Sequence, residues 1–304
     1  MPDLRRGVFY GIAAYTMWGL FPLYWPLLKP SGAVEILAHR MVWSLVVVAV
    51  ALAVRRHWSW VKAIVRQPAK LALLTVAAIV VTVNWGTYIY AVNTGHVVES
   101  ALGYFINPLV NVLFGVVLLR ERLRVAVGFG ALAVLVLTLD YGRLPWIALT
   151  LAFSFGIYGL VKKRANVAAT ESLAVETLVL LLPALGYLVY LQVTGGSTFG
   201  TQGPGHIALL VGAGVITALP LLCFGAAAIR VPLSTIGLLQ YIAPILQMVC
   251  GVVIAKEVMP SSRWIGFSIV WLALIIFTYD SLRAARRTRT ARKAAVPQPE
   301  RSTT

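Results

Sequence analysis

Glu35, His39 and Arg40 stand together at one end of a long apolar run. Glu35 and His39 are four residues apart, so on a helix they share a face. Arg40 lies about five residues deeper than Glu35, ~8 Å at 1.5 Å per residue. A charge inside a bilayer is costly, marks a route for ions or substrate, and wants a partner. Glu99, at matching depth near the outer end of another apolar run, is the expected partner of Arg40. On that expectation Arg40→Ala impairs function and Glu99→Gln resembles it. Glu35, His39 and Glu99 are candidates for a proton relay, with a folding salt bridge as the other reading of the charges.

A second set is uncharged. Ser100, Tyr104, Asn107 and Asn111 recur at steps of four, three and four, so they lie on one helical face that Gly115 continues. Gln240, Ala243, Gln247 and Gly251 repeat that spacing later in the chain, beside Tyr241. Polar groups facing lipid are unfavourable, so both faces turn inward. They line a central path, or they hold helices together by hydrogen bonds; both readings stand. Pro108 and Pro244 each free a carbonyl near mid-helix, at Tyr104 and Gln240, and permit a bend there. Asn84, Tyr88 and Trp18 lie deep in their own apolar runs. They face a ligand or pack in the core.

These residues need membrane-spanning elements to position them. The chain has 304 residues, 60% hydrophobic and 12% charged, with a net charge of +16. Its mean hydropathy is +0.85. Soluble domains carry about a quarter charged residues. The composition is that of an all-α integral membrane protein. Ten apolar runs approach the ~20 residues a spanning helix needs. They cover approximately 7–28, 33–54, 71–92, 97–119, 125–139, 145–161, 172–191, 206–229, 232–255 and 264–282. The first run is too long for a signal peptide and lacks a small-residue cleavage site, so it is read as a retained helix.

With both termini in the cytoplasm, the outer segments hold Lys29, Arg143, Lys256 and Arg263. Arg40 is inside the second helix, and every other Lys and Arg falls on an inner segment. That bias supports the helix count and the orientation. The basic excess therefore belongs beside anionic lipid, and no nucleic-acid partner is expected. The Gly- and Thr-rich stretch 192–205 reads as a flexible outer loop. The basic tail, 283–304, reads as disordered.

The stretch from Gly103 has a second copy at an offset of 136, beginning at Leu239. Ile106/Ile242, Pro108/Pro244, Gly115/Gly251 and Glu121/Glu257 coincide without a gap, and AVEILA at 33–38 faces ATESLA at 169–174. The chain thus divides into repeats at 1–143 and 144–282. Each holds five helices, and an odd number inverts the second unit. Inverted repeats place a transporter's substrate site near the midplane between the halves. In that arrangement Glu176, which falls on Arg40, lies in the opposite leaflet, so an Arg40–Glu176 pair is excluded.

Several stretches carry a family resemblance: Glu35–Ser44 (EILAHRMVWS), Asn84–His96 (NWGTYIYAVNTGH), Glu99–Leu109 (ESALGYFINPL), Leu119–Leu123 (LRERL) and Leu233–Pro244 (LSTIGLLQYIAP). Together they resemble the EamA-type drug/metabolite transporters, specifically the RarD, or chloramphenicol-sensitivity, subgroup. The resemblance implies ten helices in two inverted repeats, an inner-membrane location and small-molecule export. The second half is less polar at matching positions, with Ala243 facing Asn107 and Val175 facing His39. A site carried over is safer in the first half.

The function expected is secondary transport of small organic metabolites or drugs. A passive channel and an intramembrane lipid-acting enzyme are the alternatives. No phosphate-binding GxxxxGK[ST] motif and no HExxH or CxxC motif is present, and Cys223 and Cys250 both lie in apolar runs. No cofactor, metal or catalytic residue is expected. A small-molecule substrate and the bilayer are the partners, and monomer and homodimer both stay open.

Overall fold

The computed structural model describes residues 2–54, 58–119, 135, 139, 142–228, 230–231 and 233–294. Side chains at a number of positions inside its helices, among them Asn111, Gly115 and all of 281–294, are outside the description. The expected fifth helix, 125–139, lies outside the described residues apart from positions 135 and 139, as does Glu121.

All regular elements among the described residues are helical. They are α1 (Pro2–Gly19), α2 (Phe21–Tyr24), a 3₁₀ turn (Trp25–Leu28), α3 (Ala33–Val54), α4 (Ser59–Val65), α5 (Pro68–Asn93) and α6 (Val97–Leu119). Then follow α7 (Trp146–Ala165), α8 (Ala169–Val193), α9 (Pro204–Ala228), α10 (Leu233–Leu239), α11 (Ile242–Val249), a π turn (Cys250–Ile254) and α12 (Ser261–Ala294). Five spans are long and apolar enough to cross a bilayer: Ala33–Val54, Pro68–Asn93, Thr170–Val193, Pro204–Ala227 and Thr235–Ile254. Val97–Val110, Trp146–Lys162 and Ser261–Ile276 are shorter apolar helices. Val54, Leu182, Val189 and Ile275 stand exposed on the outer faces, the surface a protein presents to lipid.

Four local expectations are corrected. The first apolar run is not one helix: α1 ends at Gly19, and Pro22 and Pro26, which donate no backbone hydrogen bond, open the α2 and 3₁₀ segments beyond it. The ninth run is likewise divided. Pro244 cannot donate to the Gln240 carbonyl, and the chain turns at Gln240 and Tyr241 between α10 and α11. Pro108, its repeat mate, sits inside an unbroken α6. The segment after α3 contains α4, which its mixed composition hides. Finally, α12 runs on to Ala294, so the basic stretch from Arg283 is helical that far; alanine and arginine are both strong helix formers.

The two halves interlock. The α5 helix packs on α7 and α9 packs on α1; α6 packs on α7, and α11 packs on α1. The α3 helix packs on α9 and α5 on α8, while α3 meets α8 and α6 meets α11. Each of these contacts between halves has a counterpart with the repeats exchanged. Close approach is set by small residues. A Cβ built at Gly103 on α6 would stand 2.7 Å from the Ala148 carbonyl of α7, and one at Gly214 on α9 would stand 2.4 Å from the Trp43 carbonyl carbon of α3.

Candidate functional site

Arg40 is buried on α3, 2% exposed. Its guanidinium carbon lies 3.8 Å from the centroid of the Trp85 ring on α5, 5.3 Å from Trp25 and 5.8 Å from Phe21. Its Nε donates to Thr217 Oγ1 of α9 at 2.7 Å. Among the described residues its Nη1 has no partner. The Tyr88 hydroxyl, buried and near enough to feel the Arg40 charge, also lacks one.

The expected Arg40–Glu99 pair is absent. Glu99, itself buried, accepts from Arg143 Nη2 at 3.0 Å and from the Ile147 backbone N–H at 3.2 Å. It joins the start of α6 to the start of α7 rather than reaching α3. Depth along a helix was readable from sequence, but lateral position was not. Glu99→Gln is therefore expected to resemble Arg143→Gln, not Arg40→Ala. Each loses about 1–3 kcal/mol of stability by leaving a partner short of its hydrogen bonds, and the double variant loses less than the sum. Thermal melts of the three variants read this directly. Glu176 is taken by Lys162 Nζ at 2.8 Å and by the Tyr158 hydroxyl at 3.0 Å, so it is separate from Arg40 as well.

The uncharged candidates mostly spend their hydrogen bonds between helices. Asn84 donates to the Leu151 carbonyl (3.0 Å) and to Ser154 Oγ (2.9 Å) on α7, and its Oδ1 accepts from the Tyr104 hydroxyl at 3.1 Å. Asn107 donates to the Ala152 carbonyl at 3.0 Å. Gln247 donates from Nε2 to the Trp18 carbonyl at 3.2 Å, while its buried Oε1 has no partner among the described residues. Trp18 packs edge-on to Tyr15 and against Phe224. Tyr88 and Tyr104 meet edge to face at 5.7 Å. Tyr241 sits apart, its hydroxyl in contact with Gln240 and with Thr278 of α12. The side chain of Asn111 lies outside the description.

Near the N-terminal end of α3, Glu35 and His39 do not bond to one another. Glu35 Oε1 accepts the Thr198 backbone N–H at 2.8 Å and the Ser197 hydroxyl at 3.5 Å. His39 stacks on Phe199 at 4.8 Å. Ser31 bonds Thr198 and His206. The loop after α8 is thus tied to α3 and α9, contrary to its Gly-rich composition. Its glycines serve the bends, with positive φ at Gly195, Gly200 and Gly203. Glu35, His39 and Glu99 belong to two separate sets of contacts and form no continuous relay among themselves.

One polar tie went unmarked among the sequence candidates. Glu257, after the π turn, accepts from the backbone N–H groups of Val97 and Val98 at the start of α6. Its coincidence with Glu121 in the repeat was the available signal. Burial pushes its carboxyl above the usual range, against the pull of the Val98 and Val97 N–H groups and of His96 and Arg263. A raised folded-state value means the folded chain holds this proton more tightly than the unfolded chain. The contribution is fully present below the ordinary glutamate range and is lost as pH rises through the raised value. Glu257→Gln is expected to remove that loss, which melting curves on either side of the raised value would show as a flatter pH profile.

Residues 5–139 and, separately, 144–279 match the EamA-like transporter family. Protein RarD of Streptomyces exfoliatus is 60% identical over 299 residues, 97% of this chain and 95% of that protein. An uncharacterized transporter of Pseudomonas aeruginosa is 41% identical over 301 residues, 98% of each chain. Protein RarD of Escherichia coli (strain K12) is 41% identical over 288 residues, 93% of this chain and 97% of its own. A solved crystal structure, 18% identical, aligns with 90% of this chain and 97% of that one at a TM-score of 0.58, a likeness of fold alone.

Proposed function

The chain belongs to the EamA-like transporter family, and from that premise we propose that it is a secondary exporter of small organic molecules across the inner (plasma) membrane. The observation that carries this reading is that, among the described residues, several buried polar atoms where the halves meet have no partner, among them Arg40 Nη1, the Tyr88 hydroxyl and both His39 ring nitrogens from the first half and Gln247 Oε1 from the second. Buried polar groups in folded proteins are overwhelmingly satisfied, and each exception calls for a cause such as a functional role or a bound water or ion. They lie between two reciprocally packed repeats, the arrangement alternating access uses. Trp18, Asn84, Tyr104, Asn107, Asn111, Gln240 and Tyr241 then flank the path or hold its walls, and the break near Pro244 supplies compliance, while Pro108 lies in a continuous helix.

The test is accumulation in proteoliposomes under an imposed proton or sodium gradient. The candidate cargo comes from comparing metabolites in the medium of overexpressing and deletion cells. Uphill accumulation supports the exporter. Equilibration without accumulation assigns a passive channel, and no flux of any enriched metabolite overturns transport.

A further inference from the structure

No carboxylate among the described residues pairs with Arg40. Arg40 is 2% exposed, yet the partners it touches are three aromatic rings and the Thr217 hydroxyl, none of them anionic. Every buried carboxylate among the described residues is committed elsewhere: Glu35 to the Thr198 N–H, Glu99 to Arg143, Glu176 to Lys162. Aromatic faces attract a cation, but that attraction is weaker than the cost of removing an ion from water. Among the described residues Arg40 Nη1 and the Tyr88 hydroxyl are both buried donors without a partner, and a guanidinium N–H is a donor that a carboxylate accepts well.

We infer that Arg40 docks a carboxylate carried by the transported molecule, with Tyr88 donating a further hydrogen bond. The cargo is therefore a small organic acid whose body is apolar enough to lie among Trp85, Tyr88 and Tyr104. The anion supplies the charge that the fold withholds, and it reaches Arg40 when the halves part. A phosphate monoester offers the same fork-shaped acceptor, but it carries more charge than a single arginine balances. This substrate class rests on the transporter reading; the binding site itself does not.

Binding is measured on the purified full chain in lipid nanodiscs, by tryptophan fluorescence and by thermal shift. The probes are acetate, hexanoate and phenylacetate, each paired with its amide, with sodium chloride and methyl phosphate at equal ionic strength. The expected result is binding of hexanoate or phenylacetate at least tenfold tighter than of its amide. Arg40→Gln is expected to lose that preference, and Arg40→Lys to keep part of it. The melting temperature of each variant without ligand certifies its fold.

Equal binding of acid and amide overturns the inference, as does acid binding that survives Arg40→Gln. So does the absence of binding by all three acids. A chloride effect matching that of phenylacetate assigns the charge to an inorganic ion, and methyl phosphate preferred over every acid assigns it to a phosphoryl group; either overturns the carboxylate. Flux of a neutral cargo that persists in Arg40→Gln sinks the acid site while leaving transport intact. Acid binding without any flux sinks transport while leaving the site.

Discussion

Arg40→Met is expected to raise the thermal stability of the protein while abolishing its transport. Methionine fills a similar length of apolar space and packs well against aromatic rings. The Thr217 hydroxyl keeps its bond to the Ala213 carbonyl, so no new orphan is created there. Exchanging an uncompensated buried charge for an apolar side chain stabilises by about 1–4 kcal/mol. Arg40→Lys, which keeps the charge but loses the fork and the planar stack on Trp85, is expected to be less stable than the parent. Chemical or thermal unfolding in detergent reads stability, and proteoliposome uptake reads function. A methionine variant that unfolds more easily would show that Trp85, Trp25 and Thr217 already compensate the charge.

Gly214→Ala should be the most damaging single-methyl change in the described structure. The added carbon would meet the Trp43 backbone at 2.4 Å and 2.6 Å, as well as the Trp43 Cβ at 2.5 Å. Backbone of a neighbouring helix cannot swing aside, so α3 and α9 must separate. Overpacking of this kind costs about 1–3 kcal/mol or more. Gly159→Ala on α7 is the matched control. It meets nothing within 4 Å and lies in a helix interior, so it is expected to gain about 0.5–1 kcal/mol. Folded yield and melting temperature should move in opposite directions for the two variants. Comparable melting temperatures would mean the α3–α9 seam is looser than its geometry.

The contrast between those glycines shows what a sequence hides. Hydrophobic length placed Ala33–Val54 and Val97–Leu119 at their observed bounds, because the bilayer fixes one dimension and composition reports on it. The internal repeat was legible for the same reason, since two copies of one pattern need no structure to compare. Lateral neighbours were not legible. Asn84 and Asn107 reach the carbonyls of Leu151 and Ala152, groups that every residue carries and no sequence distinguishes. Pro108 and Pro244 look alike in the chain, yet only the second interrupts its helix. The difference lies in packing around each, not in proline itself. For the candidate site, the position of Arg40 was readable, but the absence of its carboxylate was not. That absence appears only once Glu99 is seen bound to Arg143.

The exchange of contacts between halves bears on how the chain is made. Synthesis delivers α1 to α6 before any residue of α7, α8 or α9 exists. During that interval Asn84 lacks the Leu151 carbonyl and Ser154, and Arg40 lacks Thr217. Glu99 lacks Arg143 and the Ile147 N–H as well. The early half is thus a set of inserted helices awaiting their lateral bonds, held in the insertion machinery or in lipid until the later half arrives. The two copies are linked as obligate assembly partners on one polypeptide, and the tether between them sets their local concentration. A chain cut near residue 143 should still assemble when both pieces are made together, and neither piece should accumulate alone.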